Sequence, residues 1–89
     1  MKAIVTVIGK DRKGIIAKVS NFLYEKDINI EDISQTIMQD FFSMVMMVNV
    51  DEIKLSFNEI VKQCHDLGVE MGLEIKIQSE DIFNAMHKI

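Results

Sequence analysis

Hydrophobic and polar positions along this chain switch between a two-residue and a 3.6-residue period, and each switch marks an element. Residues 3–8, Ala-Ile-Val-Thr-Val-Ile, are rich in β-branched side chains and apolar on both parities. They predict a central strand near residues 2–9 that stops at Gly9. Ile15, Ile16, Val19, Phe22 and Leu23 then recur at helical spacing, with Lys18, Asn21, Glu25 and Lys26 opposite, and predict an amphipathic helix near 14–27. Residues 29–39 alternate imperfectly: Ile30 and Ile33 are out of period, so a half-exposed strand with a bulge is expected there. Phe42, Met44, Met46, Val48 and Val50 form an unbroken alternate row near 42–51, and Phe41, Val45 and Met47 are apolar on the other parity. That strand is expected to be buried on both faces. The turn before it, near Asp40, lacks glycine.

Ser56 and Glu59 form a capping-box pair ahead of Phe57, Ile60, Val61, Cys64, Leu67 and Met71, which share one face of a helix near 56–72 closed by Gly72. Leu73, Ile75 and Ile77 alternate with Glu74, Lys76 and Gln78, as on an edge strand at 73–79 with one wet face. Ser79, Glu80 and Asp81 then cap a short tail helix carrying Ile82, Phe83, Met86 and Ile89. The order βαββαβ plus a tail is that of an α+β, ferredoxin-like fold: a four-stranded antiparallel sheet with two helices on one face. A core of residues 1–79 and a tail of 80–89 make one domain of 89 residues. Two helices cover only one face of such a sheet, yet the other parity of the first and third strands is apolar. That face is therefore expected to be covered by a second copy, giving a homodimer, or by the tail.

Composition narrows the partners. Ten basic against fourteen acidic residues leave a net charge of -4, opposite in sign to what binding a phosphate backbone needs, so no nucleic-acid partner is expected. An RNA-recognition module would also carry aromatics on its exposed sheet face, and the first strand has none. No apolar run approaches the ~18 residues of a membrane span, and the N-terminal apolar stretch ends at Ile8 without a cleavage signal, so a cytoplasmic protein without a membrane partner is expected. The one cysteine, Cys64, lies on an apolar helix stripe and reads as a small hydrophobe. His65 and His87 have no ligand pattern around them, so neither a metal nor another cofactor is expected. Asp51 and Glu52 read as a solvated charged turn, and the adjacent His65 and Asp66 do not share a helical face.

The stretch Gly9-Lys10-Asp11-Arg12-Lys13-Gly14 differs from these, because it joins a central strand to a helix start, where unpaired backbone N–H groups receive anions. Asp11 suits an amine and Arg12 or Lys13 an anion. The same residues suit equally an ordinary charged turn in which Asp11 caps the helix.

The run from Val5 through Gly9-Lys10-Asp11-Arg12-Lys13-Gly14-Ile15 to Leu23, with Asn29-Ile30-Glu31-Asp32-Ile33 downstream, resembles the ACT domain family. It is similar in particular to the ACT modules of the glycine-cleavage regulator and of formyltetrahydrofolate hydrolase, and to small proteins made of one ACT domain. The resemblance spans nearly the whole chain. It implies a non-catalytic regulatory module that binds an amino acid or related effector at a subunit interface and modulates a partner protein. By position, the ligand-binding residues it implies are Asp11, Arg12, Gly14 and Ile15 in the loop and Asn29 at the start of the second strand. Two alternatives stand beside it. One is a dimerisation module without a ligand. The other is an acylphosphatase-like enzyme with Arg12 and Asn49 as its pair, although the loop pattern of that enzyme is absent and a shared fold alone does not license the activity.

Overall fold

The computed structural model describes residues 1–86. Its elements run β1 (Lys2–Lys10), α1 (Ile15–Glu25), β2 (Asn29–Met38), β3 (Phe41–Asn49), α2 (Phe57–Met71), β4 (Leu73–Ser79) and α3 (Glu80–Met86). The four strands form one antiparallel sheet in the order β2-β3-β1-β4. The two strands that are apolar on both parities are thus the central pair, and the half-polar β2 and β4 are the edges, as the alternation predicts. The expected break in β2 is a register shift between Ile30 and Asp32.

Cross-strand partners share a face, so the register sorts the side chains into two sets. Ala3, Val5 and Val7 pair with Val48, Met46 and Met44 on one side and with Ser79, Ile77 and Ile75 on the other. This row meets Ile15, Val19 and Leu23 of α1 and Ile60, Cys64 and Met71 of α2 in one buried core. The helices stop where local chemistry stops them. Ser56 Oγ accepts the Glu59 N–H at 3.1 Å, the cap that the Ser56/Glu59 pair predicts. α1 ends in a Schellman motif, with Asp27 at φ 60 and the Ile28 N–H reaching the Leu23 carbonyl at 3.0 Å. Leu23 and Ile28 are both buried, so the motif turns the chain back into the core.

Two expectations need correction. In the single chain β3 is buried on one face only: Phe42, Met44, Met46 and Val48 lie under the helices, whereas Phe41 and Val45 are exposed. The physical reason is layer count, since α1 and α2 both pack on the same face. The tail covers part of the other face, because α3 packs across β1 and β4 but not β3. Ile16 and Val61, placed on the apolar helix stripes by their spacing, are likewise exposed, because the stripe touching the sheet is narrower than the run of apolar residues. The expectations for His87 and Ile89 lie outside the described residues.

Candidate functional site

β1 delivers the chain to the loop at residues 11–14, and the backbone N–H of Asp11 donates to the Asp40 carbonyl at 2.6 Å. This bond ties the loop to the β2–β3 turn, where Gln39 adopts φ 59 in place of the missing glycine. Gly14 at φ 90 starts α1 without any side-chain cap, and no acidic residue lies in the helix's first turn. The first-turn N–H groups therefore keep their hydrogen-bonding capacity beside the loop. The Gly14 carbonyl accepts the first helical bond, from Lys18 N–H at 3.0 Å. Asp11 does not cap the helix.

An open groove of about 470 Å³ lies here, lined by Asp11, Arg12, Gly14 and Ile15 on the loop side and by Gln35, Ile37 and Phe42 on the sheet side. Asp11 and Arg12 are exposed, and neither side chain has a partner among the described residues. Ile15 is buried at the groove's base. The arrangement offers an anion acceptor, a cation, free backbone donors and an apolar wall within one depression. Gln35, Ile37 and Phe42 escape a reading of the chain because they lie more than twenty positions from the loop. They reach it only because the register sets Ile37 opposite Phe42 and Gln35 opposite Met44.

Four of the five expected site residues therefore line one groove. The fifth does not. Asn29 pairs with Asn49, which pairs with Lys2, so it sits at the far end of the sheet from Lys10 and the loop. With strands rising about 3.3 Å per residue, that separation is roughly 25–30 Å within one chain. The same geometry parts Arg12 from Asn49, whose Oδ1 instead accepts the Asp51 N–H at 2.8 Å. The pair that an acylphosphatase-like site requires is not assembled in the chain.

Other chemistry is sparse. Burial pushes the Cys64 thiol up to about 11, the opposite of what a nucleophile needs. No cluster of three His, Cys, Asp or Glu that could hold a metal occurs among the described residues, and no described helix is long and apolar enough to cross a membrane.

The profile of the ACT domain matches residues 2–78. The chain belongs to the ACT domain family. It is 51% identical to a UPF0237 protein of Clostridium acetobutylicum over the whole of both chains. It is 44% identical to a UPF0237 protein of Methanocaldococcus jannaschii, covering 99% of this chain and 98% of that one. Among solved structures, an ACT domain protein from Streptococcus pneumoniae superposes with a TM-score of 0.83 at 44% identity over 98% of each chain. A formyltetrahydrofolate deformylase from Pseudomonas syringae is 26% identical with a TM-score of 0.75, and 88% of this chain matches 27% of that enzyme. The regulatory subunit of aspartate kinase from Thermus thermophilus is 26% identical with a TM-score of 0.68, with coverage of 89% of this chain and 51% of that one. The fold thus recurs both as nearly the whole of a small protein and as about a quarter to a half of larger ones. The loop-and-α1 groove belongs to the part that the ACT profile covers.

Proposed function

We propose that this ACT domain is a regulatory module that binds an amino acid or a closely related zwitterion in the loop groove and passes that occupancy to a partner protein without catalysis. The observation that carries the proposal is the uncapped N-terminus of α1 beside unpartnered Asp11 and Arg12. A zwitterion needs these groups together: Asp11 for its ammonium, Arg12 and the free N–H groups for its carboxylate, and Ile15, Ile37 and Phe42 against its side chain. The regulatory subunit of aspartate kinase, matched above, supports the regulatory reading by likeness of fold.

Asn29 joins such a site only from a second copy. β2 is an exposed edge strand, and antiparallel pairing of two β2 strands about a two-fold axis sets the residue-29 end of one beside the residue-38 end of the other.

Calorimetric titration with the common amino acids tests the reading. One of them is expected to bind, and Asp11→Ala or Arg12→Ala is expected to weaken it about tenfold or more through loss of a charge-assisted bond. Gly14→Val is expected to abolish binding through backbone strain at φ 90, because its Cβ would meet no atom within 4 Å. Asn29→Ala weakens binding only if a second copy completes the site. A ligand bound equally by the wild type and all loop variants would refute the assignment. The absence of heat with every amino acid would leave self-association as the module's role.

A further inference from the structure

β4 is the second edge of the sheet, and among the described residues its outer side faces no other strand. Every second residue of such an edge turns its N–H and C=O outward, where only water or an added strand can take them. α2 lies beside it at an unequal distance. At Gly68 the two elements touch, since a Cβ there would sit 2.6 Å from the Leu73 carbonyl oxygen. One to two turns earlier they part, and a groove of about 390 Å³ opens between Val61, Lys62 and His65 of α2 and residues 75–78 of β4. Val61, Lys62 and His65 are exposed on a helix whose opposite side fills the core.

We infer that this groove is a docking site for an extended, acidic segment of a partner protein, which adds to the sheet as a fifth strand beside β4. Backbone pairing supplies the affinity and the groove supplies the selection. Side chains alternate across an added strand, so one set enters the groove against Val61, Ile75 and Ile77, and the other lies beside Lys76 and Gln78 on the opposite face. Apolar residues suit the first set and carboxylates the second. A segment of six residues, about 20 Å long, covers the edge. The loop groove lies at the β2 and β3 side of the sheet, so this docking does not rest on effector binding.

Charge names the occupant. In a chain of net charge -4, this groove is lined by two lysines and a histidine and by no acid. Lys62 and His65 have no ion-pair partner among the described residues, and Lys76 has Glu74 at 3.1 Å on its own strand. Asp66 follows His65 but does not line the groove, and Glu80 and Asp81 lie past Ser79 around a separate depression with Met1 and Lys2. Beyond about 8–10 Å the charge of the rest of the molecule is screened at physiological salt, so the local basic lining decides which strand docks. A lysine on an edge discourages unselective pairing, and Lys76 does so here while favouring a carboxylate beside it. A second copy is the poorer occupant. Joining two β4 edges about a two-fold axis brings both α2 helices to one face and turns their Lys62 and His65 toward each other.

Fluorescence anisotropy and amide NMR test the inference with two end-blocked, fluorescein-labelled six-residue peptides, one alternating valine with glutamate and one alternating valine with lysine. The glutamate peptide is expected to bind about tenfold or more tightly than the lysine peptide, and to shift the amides of residues 74–78 rather than those of β2. Methylating alternate backbone nitrogens of the glutamate peptide, on the edge that pairs, is expected to abolish binding, because the charges stay and the backbone donors go. Lys62→Glu combined with Lys76→Glu is expected to reverse the preference between the two peptides, with melting temperatures showing that the variant folds. Tyr24→Glu, on α1, is expected to change nothing. No binding of the glutamate peptide, equal binding of both peptides, binding that survives methylation, or shifts confined to β2 would each overturn the inference. A second copy already seated on β4 would show as the first of these outcomes together with a dimer by sedimentation.

Discussion

Cys64 shows how surroundings decide what a reactive side chain does. It is the one cysteine of the chain, and burial against Ile60 and Met71 in the core removes the water that would stabilise a thiolate. Its pKa rises from 9.0 to about 11 in the folded state. The unfolded thiol therefore loses its proton at a lower pH than the folded one, so the stability contributed by the buried neutral thiol is fully present below about pH 9 and is lost as the pH rises toward about 11. Urea midpoints at pH 8 and pH 10.5 are expected to fall further for the wild type than for Cys64→Ala. An equal fall would mean that the thiol ionises as easily inside the core as outside it. Asp11 and Arg12, by contrast, are exposed to water.

Among the elements, α2 depends on two residues in different ways. Ser56 satisfies an orphan N–H at the helix start, so Ser56→Ala is expected to cost about 1 kcal/mol. Gly68 lies where α2 crosses β4, and a Cβ there would sit 2.6 Å from the Leu73 carbonyl oxygen and 3.1 Å from the Ile75 nitrogen. Alanine favours a helix interior by up to about 1 kcal/mol over glycine. Here backbone atoms stand in the way and cannot move cheaply, so Gly68→Ala is expected to destabilise the fold by about 1–3 kcal/mol. Urea denaturation of the two variants checks both figures, and a stabilised Gly68→Ala would show that helix and strand can separate freely. The edge strands divide in a similar way. β4 alternates Glu74 and Lys76 on its open face, whereas β2 is exposed along nearly its whole length and carries no lysine, which leaves it available for pairing.

At the scale of the whole molecule, net charge and apolar surface act in opposition. The net charge of -4 on each copy opposes association in dilute salt, whereas the apolar side chains left exposed on β3 and α3, Phe41, Val45, Ile82 and Met86, favour it. Screening removes the first effect and leaves the second. Raising sodium chloride from 0.05 to 0.5 M is therefore expected to leave any self-association unchanged or to tighten it, as read by sedimentation. Weakening by tenfold or more would mean that intermolecular ion pairs, not apolar contact, hold the copies. The effector binding proposed above, through the charges of Asp11 and Arg12, is expected to move the other way with salt.

Much of this protein is legible in the chain read alone. The period-two rows of β1, β3 and β4, the helical stripes of α1 and α2, the Ser56 cap and the Ile30/Asp32 bulge all follow from residues within one element, because periodicity records which side of that element meets the core. That Asp11, Arg12, Gly14 and Ile15 belong together at a strand-to-helix junction was legible too, but their expected role came from the resemblance to the ACT family, since the junction by itself suits an ordinary charged turn equally well. Three features were not. The groove's second wall, Gln35, Ile37 and Phe42, is brought to the loop by strand pairing, and the same pairing carries Asn29 to the opposite end of the sheet. The apolar parity of β3 spells burial, but whether a helix, the tail or another copy does the burying depends on how many layers the chain can supply. α1, α2 and α3 between them leave Phe41 and Val45 uncovered. Hydrophobic pattern is a property of a segment and its own axis, whereas adjacency and coverage belong to the register between segments, and only the folded chain sets that register.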